Sequence, residues 1–273
     1  FRDPRWGRGH ETYGEDPYLT GQIGTQFVKG LQGNDPKYLK LVATAKHFAV
    51  HSGPESERHF FNANVNQRDL WETYLPAFKD LVVDANVYSV MGAYNRVNGE
   101  SASASNYLLQ EILRDKWGFN GYVVSDCGAI NDIHANHKIV KTPEESAALG
   151  VITGCDLNCG GIYQRYLQES VTLGLISEKE IDTAVYRLFL ARMKLGMFDP
   201  AEIVSYAQIP FDINNSKKHD ELSLKTAQSS MTLLKNNGVL PIDINKINKI
   251  AVVGPNADNI NALLGNYHGT PSN

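Results

Sequence analysis

Short apolar runs alternate with longer amphipathic stretches along this chain, and the alternation predicts a parallel α/β arrangement. Strands are expected at residues 39–48 (LKLVATAKHF), 87–94 (VYSVMGAY) and 121–126 (GYVVSD). Helix-period stretches follow them at 69–83, at 105–117 and around 143–150. A weaker fourth strand is expected at 152–157, then helices at 162–173 and 178–195. Helix ends carry their own chemistry. Thr142 offers a capping hydroxyl before Pro143, and Glu144 and Glu145 fall where the helix dipole favours acids. Ser177 and Glu180 have capping-box spacing, and Gly196 is placed to stop the helix before it.

After Phe198-Asp199-Pro200 the pattern changes. A polar stretch reaches about residue 216, a helix runs to about 229, and strands are expected at 231–235 and 250–253 around Asn236-Asn237-Gly238. The expected organisation is a first α/β domain over 1–200, a linker over 201–215, and the start of a second α/β domain over 216–273. No internal repeat is visible. The chain opens on Phe1-Arg2-Asp3-Pro4 and reads as a piece of a longer protein, so its compartment is not legible from a leader.

Composition narrows the class. Of 273 residues 42% are hydrophobic and 21% charged, with a net charge of −4, which fits a globular protein and not a disordered one. The pI near 6.1 leaves no basic footprint for nucleic acid. No apolar run reaches the length of a membrane-spanning helix. Three cysteines are too few for a disulfide scaffold or a four-thiolate zinc site.

In parallel α/β folds the functional groups gather where strands end. The strand ends here carry Lys46-His47, then Met91 through Arg96, then Ser125-Asp126-Cys127. Such a set suits a polyhydroxylated substrate and charge-stabilising chemistry. Asp126 is the sharpest candidate, because a carboxylate at the end of an apolar run is costly to hold unless paired. Plainer readings stand beside these: Asp126 as a capping residue, His47 as a satisfied core histidine, and Arg5 and Arg8 in a surface ion-pair network with Glu11, Glu15 and Asp16. His47 and His51 lack the glutamate of H-E-x-x-H, and a strand end does not present residues four apart on one face, so no metal is expected. No Walker loop or G-x-S-x-G elbow occurs, and Val252-Val253-Gly254-Pro255 lacks the glycines of a dinucleotide fingerprint, so no cofactor is expected.

Several motifs in order resemble glycoside hydrolase family 3: residues 1–21 (FRDPRWGRGHETYGEDPYLTG), 46–65 (KHFAVHSGPESERHFFNANV), 90–99 (VMGAYNRVNG), 118–130 (GFNGYVVSDCGAI), 235–242 (KNNGVLPI) and 250–258 (IAVVGPNAD). The resemblance implies a (β/α)8-like TIM barrel, its first strands missing, followed by the start of an α/β sandwich. It implies a retaining mechanism in which Asp126 is the nucleophile. Arg8, Lys46, His47 and Arg58 match residues that bind sugar hydroxyls, and Met91 and Tyr94 match residues lining the first subsite. Lys46 and Arg58 would favour its ionised form if they lie within about 4–6 Å of it. The general acid/base matches no residue of this chain: the family takes that Glu from the second domain, and Glu11 and Glu15 fall near the scaffold. The 273 residues alone are therefore expected to hydrolyse glycosides poorly.

Cys127 stands where many β-glucosidases of the family carry Trp. The family's β-xylosidases carry a cysteine pair at positions similar to Cys127 and Cys159, forming a disulfide near C5 of the sugar, which would crowd a hydroxymethyl group and admit a pentose. Buried thiols are the plainer alternative, and Cys155 is left over, to pair or stay free. A bridge implies an oxidising compartment, secreted or periplasmic. The leading expectation is thus a retaining exo-β-xylosidase acting on xylo-oligosaccharides or aryl glycosides. Its alternatives are a β-glucosidase, an α-L-arabinofuranosidase, a noncatalytic sugar-binding protein, and a phosphorylase or acyl-type transferase with the same nucleophile. Oligomeric state stays open.

Overall fold

Three parallel strands organise the first part of the computed structural model, which describes residues 3–264, 268 and 269. They are β1 (Thr44–Phe48), β3 (Ser89–Gly92) and β6 (Tyr122–Ser125), in the order β1-β3-β6. Thr44 pairs with Ser89, and Ser89 with Tyr122. Each strand is shorter than its apolar run. The run at 39–48 becomes strand only from Thr44, because Leu39 N–H is donated to Lys194 O and Lys40 N–H to Gln32 O. The strand expected at 152–157 is reduced to one bridge, Val124 to Leu157, since Ile152 closes a helix instead. A second small sheet pairs β2 (Asn62–Ala63) with β4 (Arg96–Val97), and β4 with β5 (Glu100–Ser101).

Helices flank the strands. α1 (Pro17–Gln32) starts where the Asp16 carboxylate accepts the N–H groups of Tyr18 and Leu19, with Pro17 in the position that needs no donor. α2 (Gln67–Asp69) widens into a π-type turn over Leu70–Tyr74 and gives way to α3 (Pro76–Val83), the change falling at a proline that has no N–H to donate. Residues Tyr107–Lys116 are also π-helical. α4 (Ala129–Ala135), α5 (Pro143–Ile152), α6 (Ile162–Thr172) and α7 (Glu178–Lys194) follow. Thr142 and Glu145 form the capping box of α5, and Gly196, at φ +71°, takes the left-handed position after α7. Phe48, Val90 and Val123 from the sheet are fully buried with Leu109, Leu113 and Ile130. Each such side chain contributes about 1.5–3 kcal/mol of burial.

Asp156 fastens this scaffold. Its Oδ2 accepts Arg114 and the N–H of Val123, and its Oδ1 accepts Arg187, all at 2.8 Å. A helix C-terminal to the strand is thereby tied to β6 through a buried charge whose partners are all present.

The chain divides into two units, Phe1–Pro210 and Phe211–Asn273. The second contains α8 (Lys217–Ser230) and α9 (Asn261–Leu264). The runs at 231–235 and 250–253, read above as strands, are irregular: among the described residues neither has a ladder partner, and Leu234 and Val253 are 91% and 84% exposed. An extended segment without a partner gains no ladder hydrogen bonds, which corrects both expectations. No described helix is long and apolar enough to cross a membrane.

Candidate active site

β6 delivers Asp126 at its carboxyl end, beside the end of β1 that carries Lys46 and His47. Asp126 is 7% exposed. Its N–H is donated to Gly92 O, and its own carbonyl accepts Ala129 N–H, so the backbone is fixed between β3 and the start of α4. The two carboxylate oxygens differ. Oδ1 accepts the Cys127 N–H at 2.8 Å. Oδ2 lies 3.5 Å from Arg8 Nη1 and 3.2 Å from His47 Nε2, is buried, and has no aligned hydrogen bond. One oxygen is positioned and the other is open, with a cation alongside.

That cation is Arg8. It is buried, at 8% exposure, and not part of a surface network. Glu11 grips it in two places, Nε to Oε1 at 2.8 Å and Nη2 to Oε2 at 2.9 Å, and also accepts Lys46 Nζ at 3.1 Å. The Arg8 hydrogen bonds, followed by those of Lys46, hold the Glu11 carboxyl down to about 2. Glu11, assigned to the scaffold by its motif, reaches both Arg8 and Lys46 beside Asp126. Lys46 pairs with Glu11 and Arg58 with Glu55, and the guanidinium 3.5 Å from Asp126 Oδ2 belongs to Arg8.

His47 and His51 face each other edge-on, ring centroids 5.0 Å apart. Burial pushes His47 down to about 2, helped by His51, Arg8, Lys46 and Arg58, and pushes His51 down to about 4. Both are therefore neutral at neutral pH. Asn95 orients the pair. Its amide nitrogen donates to the carbonyls of Ala49, Val50 and Arg96, which fixes its flip and leaves Oδ1 to accept His51 Nδ1–H at 3.0 Å. The neutral His51 consequently presents Nε2 as an acceptor. Asn95 also braces Val50, a β-branched residue at φ +58°, where backbone strain is real. In the sequence Asn95 is one strand-end residue among several, and His51 stands out only by its four-residue spacing to His47.

Tyr94 donates its hydroxyl to Cys127 O at 2.9 Å, and burial, then the Asp126 charge, raise its phenol to about 12. Arg58 lies 5.7 Å from the Tyr94 ring, and its Nε is buried without a hydrogen-bond partner. Met91 is half-buried in β3, in register with Lys46 and Val124. Cys127 and Cys159 form a disulfide, while Cys155 is free and buried, its thiol pushed up to about 12 by burial. Ser125 Oγ accepts the Cys159 N–H, and Cys159 O accepts the Gly128 N–H, so the bridge lies in a loop bonded on both sides of Asp126. A cavity of about 310 Å³ between α1, β1 and α3 is bordered by Glu11, Lys46, His47 and His51. Among the described residues no group of three or more His, Cys, Asp or Glu is placed to hold a metal.

The atoms left open are Asp126 Oδ2, His47 Nε2, His51 Nε2 and Arg58 Nε, all buried. An apolar ligand would strand them; a ligand rich in hydroxyls would satisfy them.

Comparisons with known proteins agree with that chemistry. The family model described as the glycosyl hydrolase family 3 N terminal domain matches residues 1–191. A xylan 1,4-beta-xylosidase of Xylanibacter ruminicola is 50% identical over 100% of this chain and 32% of its own length. A beta-xylosidase/alpha-L-arabinofuranosidase of Medicago sativa subsp. varia is 44% identical over 99% of this chain and 36% of its own. Among solved structures, a GH3 exo-beta-xylosidase in complex with a xylobiose aziridine activity based probe has a TM-score of 0.85 at 35% identity, covering 89% of this chain and 32% of that one. A beta-glucosidase involved in saponin metabolism from intestinal bacteria has a TM-score of 0.84 at 33% identity, covering 98% and 36%. The chain spans about a third of the length of the curated relatives it matches.

Proposed function

This chain belongs to glycoside hydrolase family 3, and on that premise we propose that it carries the nucleophile and first sugar subsite of a retaining exo-acting β-xylosidase. The observation that carries the reading is the asymmetry of Asp126: one oxygen is fixed by Cys127 N–H, while the other is buried, unbonded and flanked by Arg8 and His47. Oδ2 attacks the anomeric carbon through an oxocarbenium-like transition state, the glycosidic bond breaks, and a covalent glycosyl–Asp126 ester forms. Water then hydrolyses the ester. Arg8 sets a guanidinium 3.5 Å from the attacking oxygen, on the side where charge must be balanced during attack. Neutral His47 and His51, Lys46 and Arg58 supply hydrogen bonds to sugar hydroxyls, and bonds that tighten at the transition state supply rate. Met91 and Tyr94 line the same subsite.

The leaving group needs a proton. No carboxylate of this chain is assigned to give it, and we place the acid/base Glu outside these residues. The proposed architecture is a (β/α)8-like barrel over 1–200, a linker over 201–215 and the start of an α/β sandwich over 216–273. The Cys127–Cys159 bridge supports a secreted or periplasmic location in this reading.

That bridge beside the nucleophile, together with relatives named xylosidases, supports a pentose over a hexose. A β-glucosidase is the second reading, favoured by the TM-score of 0.84 to an enzyme of that name. The test is mass spectrometry of the full-length protein after trapping with 2-fluoro glycosides. Label on the peptide containing Asp126, formed faster with the xylo- than the gluco-configured reagent, is the expected result. Label on another residue overturns the nucleophile, and faster gluco labelling overturns the sugar.

A further inference from the structure

We propose that Asp132 and His59 are positioning residues, a carboxylate–imidazole latch that holds the Arg58 loop and the Tyr94 wall in place from the helix that follows the nucleophile. The inference rests on reading the site as a sugar pocket.

Asp132 lies on α4, which begins three residues after Asp126, and its side chain is only 4% exposed. A carboxylate so buried needs partners, and it has two. His59 Nδ1 donates to Oδ2 at 2.7 Å, and Asn136 Nδ2 donates to Oδ1 at 2.6 Å. Burial raises the Asp132 carboxyl above its usual range in spite of the His59 bond, so the pairing is held against a desolvation cost. A structural cap would stop at Asn136, the residue that ends the same helix. His59 comes from elsewhere: it sits next to Arg58 in the loop between β1 and β2.

The rest of that loop has ties of its own: Asn95 bonds Ala49 O, Val50 O and the His51 ring, Glu55 N–H is donated to Arg5 O, and Phe60 O and Phe61 O accept Arg96 Nη2 and N–H. The His59–Asp132 bond ties its middle to α4. His59 then packs edge-on against Tyr94, ring centroids 4.6 Å apart, while Tyr94 takes Arg58 over its face and donates its hydroxyl to Cys127 O. A chain of contacts thus runs from Asp132 through His59 to Tyr94 and back to the residue beside Asp126. Neither His59 nor Asp132 is needed for bond-breaking. Their loss lets Arg58 and Tyr94 drift, which weakens ground-state binding more than it slows chemistry.

The measurement is KM and kcat of the full-length protein on an aryl β-xyloside, with active sites counted by the 2-fluoro xyloside trap so that misfolded enzyme does not enter. His59→Ala is expected to raise KM about tenfold with kcat changed less than threefold. His59→Asn, whose amide N–H reaches toward Asp132, is expected to recover most of the KM, and Asp132→Asn to resemble His59→Ala. A KM in His59→Ala equal to wild type overturns the latch, whatever the melting temperature does, and so does an equal KM loss in His59→Asn. If the wild-type protein turns over no glycoside, the functional reading fails first. Titration of wild type and His59→Ala with D-xylose then decides the latch by the same tenfold comparison, and absence of binding by wild type overturns both.

Discussion

Two buried aspartates attach to the same strand and do opposite work. Asp156 grips β6 at Val123 N–H and also accepts Arg114 and Arg187, so that both oxygens are bonded, all at 2.8 Å. Asp126 sits at the end of β6 with one oxygen fixed and the other open, the Arg8 guanidinium 3.5 Å from it and not aligned to bond. Supplying donors to both oxygens of a buried charge makes a fastener, because hydrogen bonds lost from water are replaced. Leaving one oxygen unsaturated beside a cation makes a reagent: the charge is tolerated, and a lone pair remains for a substrate. The difference lies in the number of donors supplied and not in burial, since both residues are nearly inaccessible.

Conservative removal of each charge separates the two roles, and this is where the largest effect is expected. Asp126→Asn should lower kcat/KM on aryl β-xyloside by about four orders of magnitude while leaving unfolding by urea almost unchanged. Asp156→Asn removes the charge that faces Arg114 and Arg187, so it should cost about 3–5 kcal/mol of stability, with kcat/KM per trapped active site within about threefold of wild type. If Asp156→Asn lost activity without losing stability, or Asp126→Asn unfolded the protein and kept its rate, the contrast would be wrong.

The two aspartates also differ in how far they could be read in advance. Asp126 was visible because it ends the apolar run VVSD, and strand position alone marked it, together with Lys46 and His47. Asp156 sits in the weak run at 152–157, and the partners that explain it, Arg114 and Arg187, are 42 and 31 residues away. The same holds for Glu11, which meets Lys46 across 35 residues, and for His59 with Asp132 across 73. Spacing along a chain carries no record of such meetings. Helix ends were legible for the opposite reason: the capping box of α5 and the stop at Gly196 are local chemistry. The runs at 231–235 and 250–253 show the limit of pattern alone, since a strand is made by its neighbour, and apolar alternation cannot supply one.

A smaller effect is expected from the bridge on the Asp126 side. Closing the loop between Cys127 and Cys159, 32 residues apart, contributes about 4 kcal/mol by loop entropy. Cys127→Ser with Cys159→Ser should lower stability by that order, leave Asp126 reactive, and narrow the preference for xylo- over gluco-configured aryl glycosides by about tenfold. Unchanged selectivity with lowered stability would make the bridge a fastener like Asp156, with no part in choosing the sugar.

Acid should distinguish the two regions by the smallest margin. The Asp126 side contains His47 and His51, whose native values are pushed down to about 2 and about 4 from the usual 6.5 by burial. Below pH 6.5 the unfolded chain binds protons that these folded rings refuse, so stability falls as pH drops, by up to about 1.4 kcal/mol per pH unit for each ring. For His51 the loss continues until about pH 4. The Asp156 side responds with the other sign. Burial, outweighing Arg114 and Arg187, raises its carboxyl above the usual 3.8, so the folded state takes its proton no later than the unfolded one and acid withdraws no stability through it. Urea unfolding at pH 7 and pH 5 reads the difference. His51→Gln should remove about 2 kcal/mol of the loss between those two values, whereas Asp156→Asn should leave that loss as large as in wild type. A wild-type stability that did not change between pH 7 and pH 5 would mean that His47 and His51 take up protons as readily folded as unfolded, and the open oxygen of Asp126 would then face imidazolium cations in place of neutral rings.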